Sequence, residues 1–199
     1  FASGIWRSIR RCKQRCTRAT QAEHKAKPPE RTAFALPPKN NGNRRVFAYL
    51  HRSRGIAAEI VNHCIKYDLL YEDAQHHNAV FVGKDENNNA RYAFLRGTLT
   101  DSHFRQEATG SDKSYGFFLR GSGKTLFVCE AAIDALSVAT LRKFGGLDWK
   151  KDNYLALGGV TASERKLPVA LERTLNNFSF KRVVLCFDND AAGQTAARR

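Results

Sequence analysis

From residue 120 onward the chain alternates apolar, β-branched runs with helix-patterned stretches, and no other feature constrains its fold as tightly. The runs at 125–129, 153–157 and 181–187 read as buried strands, and 132–144, 164–177 and 191–199 read as helices. This order predicts an α/β unit with a parallel sheet, right-handed crossovers and flanking helices. Two of the strands end in acids. Val183-Val184-Leu185-Cys186-Phe187 is closed by Asp188 and Asp190, with Gly193 following, and Thr125-Leu126-Phe127-Val128-Cys129 is closed by Glu130, with Asp134 four residues on. Side chains alternate along a strand, so Asp188 and Asp190 project to the same side. Both endings lie where a strand hands over to a helix, the edge at which open parallel sheets bind ligands. Carboxylates gathered there repel one another, and desolvation sharpens the repulsion unless a proton or cation intervenes. The economical reading is a cluster of Glu130, Asp188 and Asp190, with Asp134 nearby, that holds Mg²⁺, with Mn²⁺ as the alternative ion. The competing reading makes the acids solvated strand-end caps.

The middle strand ends in Gly158-Gly159, and Thr161-Ala162-Ser163-Glu164 then has the T-x-x-E form of a capping box. A tight turn there exposes backbone N–H groups to a phosphate, or serves as an ordinary turn of an αβ unit. Gly121-Ser122-Gly123-Lys124-Thr125 resembles the end of a phosphate-binding P-loop, but the required first glycine falls at Phe118. It also precedes a strand instead of following one, so a P-loop is rejected. Lys124 is expected to reach toward the acidic edge.

Upstream, 44–54 reads as a helix stopped by Gly55, and 57–67 as another, with Ile60, Val61, Cys64 and Ile65 at helical spacing. Apolar runs at 69–71 and 79–82, a polar turn at 85–89 and a returning arm at 90–97 predict a hairpin, with a further strand at 115–119. This is an α+β unit. Arg91, Arg96, Arg105, Lys113 and Arg120 interleave there with Tyr92, Phe94, Phe104, Tyr115 and Phe117. Such interleaving lines a single-stranded nucleic-acid groove, or else marks an antiparallel sheet with one buried aromatic and one charged face. His76-His77 reads as a turn, because neighbouring strand residues face opposite ways.

Residues 1–42 form a basic tail and linker expected to be disordered, 43–120 the α+β unit, and 121–199 the α/β unit. Twelve Lys or Arg in residues 1–45, against Glu23 and Glu30 alone, carry most of the net charge of +14 and favour polyanions. Cys12, Cys16 and His24 offer three zinc ligands without a fourth. No apolar run is long enough to span a membrane. The five cysteines are odd in number and scattered, which favours a reducing, intracellular setting. The start at Phe1 without any methionine, and the end nine residues after Asp190, lead us to expect a fragment with further strands missing.

In combination, the strand ending in Glu130 with Asp134, the strand ending in Gly158-Gly159, and Asp188-x-Asp190-x-x-Gly193 resemble the Toprim domain of the topoisomerase–primase superfamily. Tyr49-Leu50-x-x-x-x-Gly55-Ile56, Glu59-Ile60 and Asn78-Ala79-Val80-Phe81 before the Arg91 to Gly97 arm resemble the domain preceding Toprim in bacterial, DnaG-type primases. The whole is similar to primase-like proteins of conjugative and transposable elements, in which a domain of unknown function precedes Toprim. The resemblance implies a Rossmann-like Toprim fold, incomplete at its C-terminus, behind a small α+β domain. It further implies an enzyme of the bacterial cytoplasm that transfers nucleotides on single-stranded DNA during mobile-element replication or transfer. Toprim nucleases, nicking–rejoining enzymes and non-catalytic DNA-binding modules are the alternatives. By the same resemblance Glu130 is the acid–base residue or a metal ligand, Asp188 and Asp190 hold Mg²⁺, and Asp134 assists. Gly158, Gly159, Lys124 and the five basic residues named above are then expected to contact phosphates or nucleic acid. Ala131 departs from the pattern, standing where the family usually has glycine.

Overall fold

The computed structural model describes residues 33–99, 103–159 and 167–198, which contain two four-stranded sheets. Strands β1 (Leu70–Glu72), β2 (Ala79–Lys84), β3 (Ala90–Arg96) and β4 (Arg105–Glu107) form an antiparallel meander in that order. Strands β5 (Phe118–Leu119), β6 (Thr125–Cys129), β7 (Asp152–Ala156) and β8 (Arg182–Cys186) form the second sheet, in the order β5-β7-β6-β8. Here β7, β6 and β8 run parallel, as the βα alternation predicts, and β5 pairs antiparallel with β7. The strand expected at 115–119 is thus shorter than predicted and belongs to the second sheet. Phe118 and Leu119 find backbone partners in Leu155 and Tyr154, on the otherwise open side of β7.

Five helices cover these sheets: α1 (Arg44–Ala48), α2 (Ala58–Lys66), α3 (Ala132–Phe144), α4 (Val169–Asn177) and α5 (Ala191–Ala197). Alternation along the strands divides the second sheet into two apolar faces. Leu126, Val128, Leu155 and Leu157 pack with Ala170 and Leu171 of α4. On the other face, Phe127, Cys129 and Tyr154 meet Ala132, Ala135, Leu136 and Ala139, together with Val46 of α1, Leu50 just after it, and Ile60 and Val61 of α2. The two segments therefore share a core. The Ala57 N–H donates to Thr140 Oγ1 at 3.1 Å across that junction, and Glu59 bridges Lys143 and Lys150. Leu136 and Ile60 are fully buried, so truncating either costs about 2–5 kcal/mol.

The chain ahead of α1 is docked before residue 42, contrary to the expectation of a linker up to that point. Tyr71 Oη donates to Pro37 O at 2.7 Å, the Ala74 N–H to Pro38 O at 2.9 Å, and the Asn40 N–H to Glu72 O at 2.8 Å. The physical reason is Glu72, a charge almost wholly buried in β1. Its carboxylate accepts from the N–H groups of Arg45 and Val46, from Asn40 Nδ2, and bonds His77 Nδ1 at 2.6 Å. Burial alone would push this carboxyl up. The bonds from His77, Val46, Asn40 and Arg45 outweigh burial and hold it below its ordinary range. A β1 side chain thereby caps the first turn of α1. His76-His77 lies in a turn, as expected, organised by Asp73, whose Oδ1 accepts the N–H groups of Gln75 and His76.

Candidate functional site at the carboxyl edge of the second sheet

Register brings the acidic strand endings side by side. Cys129 of β6 lies between Ala156 of β7 and Cys186 of β8, so Glu130, Gly158 and Asp188 emerge at one edge. The Asp188 N–H donates to Glu130 Oε1 at 3.1 Å. Asp190 caps α5, its Oδ1 accepting the Gly193 N–H at 2.7 Å. Asp134, in the first turn of α3, accepts the Ala131 N–H at 3.1 Å. Gly193 is required by close approach: a Cβ there would lie 2.1 Å from Asp188 O and 3.1 Å from Glu130 Oε1. Ala131 has φ −122°, ordinary extended backbone, so alanine fits where the resemblance leads one to expect glycine.

The acids feel one another. Burial pushes the Glu130 carboxyl above its ordinary value, and Asp188, Asp190 and Asp134 push it further, against the Asp188 N–H, which lowers it. Asp134 is raised by burial and by Asp188, and is lowered in turn by the Ala131 N–H and Arg54. A set of hard oxygen donors with uncompensated negative charge fits a divalent cation of the Mg²⁺ or Mn²⁺ kind. Gly193 leaves the space beside Glu130 that such a set needs. Among the described residues, however, no three acidic, His or Cys side chains converge on a common point close enough to hold an ion. Glu130 Oε1, Asp134 Oδ2 and Asp190 Oδ1 accept backbone N–H groups instead, so the acids share an edge without forming the expected cluster.

A cavity of about 370 Å³ opens on this edge and is closed on its other side by the first sheet. Glu130, Asp134 and Asp188 line it with Tyr92, Phe94 and Arg105. Tyr92 and Phe94 are two residues apart in β3 and share a face. Gly158, at φ +74°, admits Tyr92: a Cβ there would lie 2.5 Å from the phenol oxygen. The Gly159 N–H donates to Glu130 O at 3.1 Å, so this donor is engaged in orienting Glu130 and does not await a phosphate.

The basic residues singled out from the sequence disperse. Arg105 lines the cavity. Arg91 pairs with Asp85 at 2.9 Å, Lys113 with Glu107 at 3.1 Å, and Arg96 Nε donates to Tyr49 Oη at 3.4 Å. Arg120 lies over the Phe178 ring in a different groove. Lys124 does not reach the acids. It precedes β6, whereas Glu130 follows it, so about 20 Å of extended chain separates them. The aromatic residues are divided likewise: Phe117 stacks edge-to-face on Phe81 in the shared core with Phe94 packed against it, Tyr92 lines the acidic cavity, and Tyr115 lies under Arg173. Cys12, Cys16, His24 and Thr161–Glu164 lie outside the described residues.

Sequence reasoning missed Tyr49 and Arg54. α1 runs into a π-helical turn at Tyr49–Ser53, which brings Arg54 back over the Tyr49 ring. Tyr49 Oη accepts from Arg54 Nε at 3.0 Å as well as from Arg96, and Arg54 is the cation that acts on Asp134. The Tyr49…Arg54-Gly55 spacing was visible, but only wide helical winding makes residues five apart neighbours. The Cys129–Cys186 contact was likewise missed. The hydrogen bond from Cys129 lowers the Cys186 thiol, against burial, and the same contact and burial raise Cys129.

Residues 48–124 match a protein family of unknown function, DUF3991, and residues 127–199 match the Toprim-like family. Among solved structures, the primase fragment of the bacteriophage T7 primase-helicase protein is similar, with 27% identity and a TM-score of 0.51, over 74% of this chain and 57% of that one. The E. coli primase catalytic core aligns at 18% identity and TM-score 0.43, over 83% of this chain and 51% of that one. The chain thus spans little more than half the length of these structures. No curated protein matches. Residues 127–199 are a Toprim-like domain, and it stands directly behind a DUF3991 domain at residues 48–124.

Proposed function

We propose that this chain is the core of a primase-like nucleotidyltransferase that extends a strand on a single-stranded DNA template. The observation that carries this reading is the cavity that sets Glu130, Asp134 and Asp188 against Arg105 and the aromatic β3 face. Acids able to hold a cation thus face residues able to hold phosphates and bases. The likeness to the T7 primase fragment supports the same reading.

Glu130, Asp188 and Asp190 would hold the divalent cation, Mg²⁺ or Mn²⁺, with Asp134 beside them. Bound there, the ion supplies charge neutralisation for phosphoryl transfer. The protein's own part is positioning. Gly193 keeps Glu130 against the start of α5, and the Gly159 N–H fixes the Glu130 backbone. The Glu130 carboxyl, raised by burial and its acidic neighbours, is suited to exchange a proton with an attacking hydroxyl. Arg105 faces the phosphates, and Phe94 offers a flat surface to a base. The order of DUF3991 and Toprim-like domains supports a setting in mobile-element replication or transfer, with single-stranded DNA and nucleotides as partners. Among the described residues no helix is long and apolar enough to cross a membrane.

The test is primer synthesis on a single-stranded template with ribonucleotides and Mg²⁺ or Mn²⁺. The reading predicts product from the parent chain and none from Glu130→Gln. Cleavage of DNA without nucleotides would replace it with a Toprim nuclease. DNA binding that neither the ion nor Glu130→Gln affects, with no product, would make the chain a binding module.

A further inference from the structure

A second groove, of about 630 Å³, opens between the end of α2, the β2–β3 turn, β5 and α4, and shares no lining residue with the acidic cavity. Its charges do not balance. The acids along it are each engaged: Asp68 with Lys39 at 2.6 Å, Asp85 with Arg91 at 2.9 Å, and Glu86 with Arg173 at 2.7 Å. Three cations along it, Lys66, Lys84 and Arg120, have no carboxylate partner among the described residues. Among the described residues Lys84 Nζ donates to Tyr67 O alone, at 2.9 Å.

Aromatic faces accompany these cations. The Arg120 guanidinium lies 4.6 Å from the Phe178 ring centre, which holds its fork of donors in one orientation without consuming them. Lys66 Nζ stands 5.8 Å from the ring centre of Tyr67, which is 53% exposed. Arg173 covers Tyr115 at 3.9 Å. Unpaired cations beside flat rings suit a ligand with both phosphates and bases. An acidic peptide has no use for the rings, and a single nucleotide has no use for cations contributed from α2, β2 and the end of β5.

We infer that this groove is a second contact for single-stranded nucleic acid, separate from the acidic cavity and resting on the function proposed above. It lets the chain grip a strand away from the reacting atoms. Lys66 and Arg120 supply the phosphate contacts, and Phe178 and Tyr67 the stacking surfaces.

The experiment measures binding of a fluorescent oligothymidylate to the full chain by anisotropy, across a salt series. For Lys66→Ala/Arg120→Ala the inference predicts affinity lower by about tenfold or more near physiological salt. Two lost contacts also make the log–log salt slope shallower by about 1.4. Both side chains are exposed, so the melting temperature stays at the parent value. Arg120→Lys restores the slope contribution of that residue but not the full affinity, because lysine lacks the stacked fork. Parent-like affinity and slope in the double variant overturn the inference while leaving the primase-like reading intact. Displacement of the strand from this groove by nucleoside triphosphate or polyglutamate at equal charge overturns it in favour of those ligands. Failure of the parent chain to bind any single strand overturns both readings.

Discussion

Gly158→Ala tests how the two sheets are fitted together at the site. Gly158 has φ +74°, and its would-be Cβ lies 2.5 Å from Tyr92 Oη, with Tyr92 Cζ next at 3.4 Å. The left-handed backbone costs an alanine about 1–2 kcal/mol. The clash with a buried phenol adds about 1–3 kcal/mol, as overpacking does in other cores. Gly158→Ala is therefore expected to lower stability by about 2–5 kcal/mol in urea unfolding. Tyr92→Phe removes the oxygen and leaves only the 3.4 Å contact, which is near ordinary packing. Its own cost is small, because the Tyr92 bond to Glu107 is long, at 3.4 Å. The double variant should recover about 1–2 kcal/mol relative to the sum of the singles, leaving the backbone strain. Additive losses would refute the claim that Tyr92 and Gly158 are fitted to one another across the cavity.

Four other outcomes can be read from the same structure. Glu72→Ala leaves the Arg45 and Val46 N–H groups without their acceptor and should cost about 3 kcal/mol by denaturant unfolding, whereas an exposed Glu86→Ala should cost under about 1 kcal/mol. Since the folded Glu72 carboxyl titrates below its unfolded value, its contribution is full above the ordinary carboxylate range and is lost as pH falls through the lowered folded value. Glu72→Gln should flatten that acid limb of a stability–pH curve. Glu59, held down to about 2 by its bonds from Lys143 and Lys150, follows the same sign: its contribution fades from about pH 4.5 toward 2. All three side chains are exposed, so Glu59→Gln should change stability by less than about 1 kcal/mol at neutral pH, and less again in high salt. Gly193→Ala should lower the melting temperature and also weaken divalent-ion binding, because its Cβ would lie 2.1 Å from Asp188 O and 3.1 Å from Glu130 Oε1, as thermal melts and ion titration on one sample would show.

The parallel sheet was legible because β6, β7 and β8 are short, apolar and bounded by turn residues, but β8 is not the buried strand its composition suggests: it stands at the sheet edge, with Val183 and Leu185 exposed. The placement of Glu130 and Asp188 was legible for the same reason: equal strands in register end together. What stayed hidden depends on pairing between distant segments. Nothing local marks Phe118-Leu119 as an antiparallel edge of the second sheet, since the deciding partner is β7. Arg91, Arg96, Lys113 and Arg120 share a composition but not a surface, because their positions depend on Asp85, Tyr49, Glu107 and Phe178. Glu72 reads as one more surface charge until α1 is placed over it. Gly159 reads as a phosphate turn until the Glu130 carbonyl is found to accept its N–H.

The carboxyl edge of the second sheet is expected to hold a divalent cation. Titration with Mn²⁺ monitored by electron paramagnetic resonance tests it directly, comparing the parent chain with Asp188→Asn/Asp190→Asn. Asparagine keeps the α5 cap, so the fold is preserved while two charges leave. One saturable site in the parent, lost in the variant, is the predicted result. Equal Mn²⁺ uptake by both proteins would show that Asp188 and Asp190 do not hold the ion.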